Sequence, residues 1–202
     1  LKQELKVNWL ADFRDPWTTI GYHKALKLSN YASKKHKKLE FQVLNSADTI
    51  IVTSNTTKSE FQAITSKPIE VITNGYDVEK IARPTLDEKF TLAHIGSLLS
   101  ERNPKLLWET LSELLQEVPD FKNHFELKLI GTVSQEIIET IHHYKLDKYL
   151  NNLGYVSHDE AVLQQRKSQV LLLIEINSQD TKSILPGKLF EYMVSERPII
   201  AI

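Results

Sequence analysis

The run VLLLI at Val170–Ile174, like TIIV at Thr49–Val52, carries no polar residue at alternate positions. A strand with one face in water alternates. A strand that does not alternate is covered on both faces, as in a parallel sheet flanked by helices. Further apolar runs of strand length are Val7–Phe13, Ile69–Thr73, Phe90–Ile95, Phe125–Ile130 and Pro198–Ile202. The first two full runs extend to Thr49–Thr53 and Val170–Ile176, and one more strand is expected around Leu153–Val156. PIIAI, at Pro198–Ile202, reads as a strand inside the sheet, with Ile202 covered.

Helical patterns lie between these runs. Leu106, Leu107, Leu111, Leu114, Leu115 and Val118 recur at a helical period, as do Ile137, Ile138, Ile141 and Tyr144. A long pattern runs from His23 to Ala47 and a shorter one over Asp159–Lys167. Pro186-Gly187 open a last helix. Strand and helix in alternation predict an α/β fold of parallel, doubly wound, Rossmann-like units.

A seam follows Ile69–Thr73. Residues 76–89 are polar and without period, and Arg83-Pro84 falls among them. The expected organisation is one unit over 1–75, a linker over 76–89 and a second unit over 90–202. Three strands are few for a doubly wound unit, so the first reads as incomplete. Together with Leu1 and the stop at Ile202, this predicts a fragment of a longer protein.

Composition removes several classes of function. The 202 residues include no cysteine, which excludes disulfides and thiolate metal sites and suits a reducing compartment. A net charge of −1 gives no global signal for nucleic acid. No apolar run reaches membrane-spanning length, and His142-His143, being adjacent, do not share a helix face for a metal. No GxGxxG or P-loop fingerprint is present. His94, inside a strand pattern, reads as a core histidine. The run Lys34-Lys35-His36-Lys37-Lys38 reads as a solvated helix face, with contact to anionic lipid as its functional alternative.

Ligands of open parallel sheets bind beyond the carboxyl ends of the strands. There the sequence places Gly96-Ser97, Gly131 and the loop before Gly187, with Arg102 just ahead of a helix start. Glycine admits close backbone approach, and a helix N-terminus favours an anion. Lys188 stands in a first helical turn, where a cation opposes the helix dipole and a bound phosphate would reverse that penalty. Glu191 shares its face and suits ribose hydroxyls. The same two residues also read as a surface ion pair.

Several segments together resemble GT-B glycosyltransferases of the family 4 type. They are LADFRDPWT (Leu10–Thr18), NSADTIIVTS (Asn45–Ser54), IEVITNGYD (Ile69–Asp77), FTLAHIGSLLSERNPKLLWETL (Phe90–Leu111), LNNLGYVSHDEAV (Leu150–Val162) and ILPGKLFEYMVSERPIIAI (Ile184–Ile202). They occur in the family's order over nearly the whole chain. The resemblance implies that 1–75 is the end of an acceptor-side domain, with Arg14 and Asp15 at its cleft. It implies that 90–202 is a nucleotide-sugar donor domain, truncated at its C-terminal end. Gly96, Ser97, Gly131, Val156, Gly187 and Glu191 would then bind the donor, with Arg102 and Lys188 stabilising the leaving diphosphate.

The sequence departs from the family pattern in places. The first of two family glutamates falls on Ser183, the usual arginine and lysine fall on Ser97 and Arg102, and the acceptor-side histidine falls near Arg14. The implied activity is retaining transfer of a sugar from a nucleotide diphosphate sugar to a glycan or lipid-linked acceptor, in bacterial surface polysaccharide synthesis. It requires no cofactor and no catalytic metal. The implied setting is the cytoplasm, with peripheral contact at the inner membrane face through Lys34–Lys38 and no nucleic-acid partner. The fragment alone is expected to be inactive. A sugar-nucleotide epimerase of the same fold, or a non-catalytic nucleotide-binding module, are the alternatives.

Overall fold

The computed structural model describes residues 2–21, 23, 26–76, 84–176 and 185–202. The chain forms two compact units, Leu1–Gly75 with Asn177–Gly187, and Tyr76–Ile176 with Lys188–Ile202. The expected Ser183 position lies outside the described residues.

In the first unit β1 (Leu10–Phe13), β2 (Thr49–Val52) and β3 (Ile69–Val71) are parallel, in the order β1-β2-β3. Three helices are described: α1 (Lys2–Leu5), α2 (Asn30–Ser46) and α3 (Asn55–Gln62). Ser29 caps α2 by accepting from the Ala32 N–H, and Ser54 caps α3 by accepting from the Thr57 N–H. Leu44, Ala47 and Phe61 cover Ala11, Ile50, Val52 and Ile69 on one face of the sheet.

TIIV is therefore not covered on both faces. Ile50 and Val52 are buried, while Thr49 and Ile51 are only partly so, because α2 and α3 return over the same side. Two other expectations shorten. The long helical pattern is interrupted: His23 is helical, but Lys27 takes a left-handed φ of +46° and the long helix starts at Asn30. β1 starts at Leu10 because the Trp9 N–H is taken by the Asp48 carboxylate at 2.9 Å instead of by a strand.

The second unit is a five-stranded, all-parallel sheet in the order β6-β5-β4-β7-β8. Its strands are β4 (Phe90–Ile95), β5 (Phe125–Ile130), β6 (Leu150–Gly154), β7 (Val170–Leu173) and β8 (Ile199–Ala201). Its helices are α4 (Lys105–Glu117), α5 (Pro119–His124), α6 (Gln135–His143), α7 (His158–Lys167) and α8 (Gly187–Val194). Ser157 and Glu160 open α7 in the sequence order of a capping box, the serine hydroxyl accepting from the Glu160 N–H.

The sheet is covered on both faces. Trp108, Leu111, Leu115, Ile137 and Ile141 pack on Leu92, Leu127 and Leu129. Tyr192, Leu189 and Ala161 pack on Ala93, Ile95, Ile130 and Leu171. The fifth strand falls at Leu150–Gly154 instead of Leu153–Val156, with a register shift opposite Leu129 and Ile130. β8 corrects a second expectation. Among the described strands it pairs with β7 alone, at the sheet's edge, and Ile200 and Ile202 are 44% and 48% exposed.

Asp87, near the end of the expected linker, reaches into the second unit. Lys128, buried on β5, donates to Asp87 Oδ2 at 2.7 Å and to Gln164 Oε1 at 2.9 Å. Thr91 Oγ1 also donates to Asp87, and the Asp87 N–H donates to the Lys167 carbonyl.

Candidate functional site at a strand-order switch

From β4 the chain builds outward to β5 and β6, then returns to lay β7 and β8 on β4's other side. The connections after β4 and β7 thus diverge, and it is at the carboxyl ends of such a pair that open parallel sheets bind ligands. The local sequence shapes these ends. The Gly96 N–H closes β4 onto the Ile130 carbonyl at 2.7 Å, and the Gly131 N–H closes β5 onto the Gly154 carbonyl at 2.7 Å. Gly96 and Gly131 take φ of +126° and +117°, a region that L side chains rarely adopt.

The space at Gly96 is used by the protein itself. A Cβ there would lie 2.5 Å from the Lys188 Nζ and 2.9 Å from its Cε. Lys188, in the first turn of α8, therefore lays its ammonium over the end of β4. Burial holds its pKa below the usual lysine range, and Arg102 pushes it the same way. Glu175 and, less strongly, Glu191 oppose them. Arg102 ends a 3₁₀ turn, Ser100–Arg102, and its Nη2 contacts Glu175 Oε2 at 3.3 Å. Glu175 lies just beyond β7, its N–H donating to the Ile202 carbonyl at 2.9 Å. Glu191 is exposed on α8 and accepts from Gln165 Nε2 at 3.5 Å. Two cations and two carboxylates thus meet at this end of the sheet, an arrangement able to hold an anion and a polyol together.

Two buried groups fix the frame. Tyr192 Oη accepts from the Ile95 N–H at 2.9 Å, tying α8 to the last residue of β4. Desolvation raises the Tyr192 pKa above the ordinary tyrosine value, so it stays a phenol. His94 is fully buried, and its Nδ1 donates to the Leu172 carbonyl at 3.0 Å. Its Nε2 has no hydrogen-bond partner among the described residues. Desolvation first, then Lys188, lower its pKa to about 4, so the ring is neutral near pH 7.

That shift sets a pH dependence. Unfolded, His94 binds a proton near pH 6.5. Folded, it does so only near 4. Stability is therefore full above about pH 6.5 and is lost as pH falls toward 4, by a few kcal/mol in all. His94→Asn keeps a donor for Leu172 but does not titrate. Urea unfolding between pH 7 and 4 should show a shallower acid loss in that variant.

The sequence-predicted residues separate as follows. Gly96, Gly131, Arg102, Lys188 and Glu191 lie at the carboxyl end of the second sheet or on the turns and helix beside it. Ser97 is exposed there. Val156 is partly buried and packs in the core with Leu189 and Tyr192. Gly187 begins α8, and a Cβ on it would meet nothing within 4 Å. Arg14 and Asp15 follow β1 in the first unit, both exposed. Arg14 donates to Asn74 Oδ1, and its carbonyl accepts from Thr53 Oγ1 at 2.8 Å. Glu175, Gln165 and Tyr192 were not singled out from sequence; only the proximity of Tyr192 to Glu191 in ILPGKLFEY hinted at one of them.

This architecture is that of GT-B glycosyltransferases. Residues 7–80 match the sequence model of Glycosyltransferase Family 4. No curated protein sequence matches the chain significantly.

Among solved structures, the chain is similar to the pneumococcal O-GlcNAc transferase GtfA in complex with UDP and GlcNAc. The TM-score is 0.65 at 17% identity, over 99% of this chain and 43% of that one. It is similar to Anabaena Alr3699/HepE in complex with UDP, with a TM-score of 0.65 at 16% identity over 99% and 54%. It is also similar to sucrose-phosphate synthase from Thermosynechococcus elongatus, with a TM-score of 0.63 at 17% identity over 98% and 52%. The chain thus spans about half the length of these proteins.

Proposed function

We propose that the chain is part of a glycosyltransferase that moves a sugar from a nucleotide diphosphate sugar to a glycan or lipid-linked acceptor, with retention, in bacterial surface polysaccharide synthesis. In this reading 90–202 is the donor side, and 1–75, with Arg14 and Asp15, the acceptor side. The observation that carries it is the Lys188 ammonium laid over Gly96 at the strand-order switch, beside Arg102. Such a pair stabilises the charge that builds on a leaving diphosphate, and in a partly desolvated site it does so more strongly than in water. Glu191, on the same helix face, takes the ribose. Two of the similar structures hold UDP, which makes that nucleotide the first probe.

Lys188→Ala is expected to weaken UDP binding by about 1–3 kcal/mol, since the lost bond is charge-assisted. Uridine binding should change far less. Glu191→Gln should weaken UDP and uridine alike, by several-fold, because both carry the ribose. Calorimetric titration separates the two. If neither substitution changes UDP affinity, the pair is a surface ion pair and the donor-site assignment fails.

The acceptor reading includes peripheral membrane contact through Lys34–Lys38 and a cytoplasmic setting. Lys34, Lys35, Lys37 and Lys38 are exposed on α2, with Tyr31 and Phe41 exposed to either side. No described helix is long and apolar enough to cross a membrane. The chain should co-sediment with vesicles rich in anionic phospholipid, should be released by salt, and should lose binding when the four lysines become serine. Equal binding to zwitterionic vesicles would refute the contact.

A further inference from the structure

We propose that Glu175 is the resident counter-ion of the phosphate site, competing with an incoming diphosphate for the Arg102 guanidinium. The inference rests on the donor-site reading above and assigns a residue that neither sequence nor family resemblance singled out.

Three observations carry it. The first is position. Glu175 follows β7, one of the two strands at the switch, and the bond from its N–H to the Ile202 carbonyl continues the β7–β8 ladder. Its carboxylate is thus set on the rim by strand backbone, not by a wandering loop. The second is the contact, at 3.3 Å between Arg102 Nη2 and Glu175 Oε2, with each side chain about one-third exposed. A half-solvated ion pair of this kind holds a side chain in place but yields readily. A diphosphate offers the same guanidinium more charge and paired oxygens, and so displaces a carboxylate. The third is the charge around it. Arg102 and Lys188 repel each other here, and Glu175 exerts the largest charge effect on Lys188. A carboxylate in contact with Arg102 and acting on the charge of Lys188 lowers the attraction of such a site for anions in general. Ligands with one charge do not repay its displacement, whereas a diphosphate does. The residue therefore acts on affinity and selectivity by occupying Arg102 until a diphosphate displaces it.

The test is calorimetric titration of the full chain with inorganic pyrophosphate, UDP and uridine at low salt. It compares the wild type, Glu175→Gln, Arg102→Ala and the double variant. Glu175→Gln should bind pyrophosphate and UDP about three- to tenfold more tightly, the size expected from removing one nearby like charge across a partly solvated site. Uridine affinity should not move. The gain should shrink at high salt and vanish in the Arg102→Ala background. Unchanged or weaker diphosphate binding in Glu175→Gln overturns the proposal, as does a change that uridine shares. A wild-type chain that binds neither pyrophosphate nor UDP brings down the donor-site reading itself, and with it this role.

Discussion

Replacing Asp87 by alanine is expected to destabilise the chain by about 3–5 kcal/mol, the cost of leaving one member of a buried ion pair alone. Lys128 lies within the sheet's cover, and Asp87 at 2.7 Å is its charged partner. Without that carboxylate the ammonium keeps Gln164 Oε1 among the described residues, and Thr91 Oγ1 loses an acceptor. The second charge near Asp87, Lys167 at 3.8 Å, is more exposed and would not compensate. Urea unfolding measures the loss. The double variant Asp87→Ala with Lys128→Met should recover a large part of it, since an apolar replacement of both partners is often neutral. A single variant within about 1 kcal/mol of wild type, the range of surface pairs, would show that water reaches Lys128 in solution.

Gly131→Ala is the second large effect expected. A Cβ there would stand 2.6 Å from the Gly96 carbonyl oxygen and 2.7 Å from its carbon, both backbone atoms of the adjoining strand end. Neither can swing aside as a side chain does. The unfavourable φ of +117° adds to the overlap, so a loss of about 3 kcal/mol or more is expected. Gly154→Ala is the control. Its φ is +65° and nothing lies within 4 Å, so it should cost only about 1–2 kcal/mol. Equal losses at the two positions in denaturant unfolding would mean that the strand ends yield and the overlap carries no cost.

Val170–Leu173 was legible because burial on both faces removes polar residues from it, and Phe90–Ile95 and Phe125–Ile130 were legible as apolar runs of strand length in spite of Thr91, His94, Glu126 and Lys128. Helices α4 and α6 were legible because Leu111 and Leu115, and Ile137 and Ile141, recur four residues apart on one buried stripe. Helix α3, with the sequence NTTKSEFQ, buries only Thr57 and Phe61, too few for a period, and passed unread. β6 was misplaced because its sequence, LNNLG, is half polar at a sheet edge. For the candidate site, glycines at strand ends and the Lys188 and Glu191 spacing were readable as local signals. Glu175 and Asp87 were not. Their partners Arg102 and Lys128 stand far off in the chain, and single charges in a loop carry no periodicity to betray such pairs.

The strand order also bears on how the second unit acquires its candidate site. β4 meets β5 through a connection of ordinary βαβ length, but Leu92 of β4 pairs with Val170 of β7 only after the chain has passed through β5 and β6. Contacts between residues so distant in sequence close large loops, and their entropic cost delays them. A folding chain would therefore first assemble β4, β5 and β6 around Trp108 and only later dock β7, β8 and α8. Lys188 and Glu175 arrive with the late part. If the proposed donor site is right, anion affinity would then belong to the finished sheet alone, because its cation and carboxylate join the sheet last.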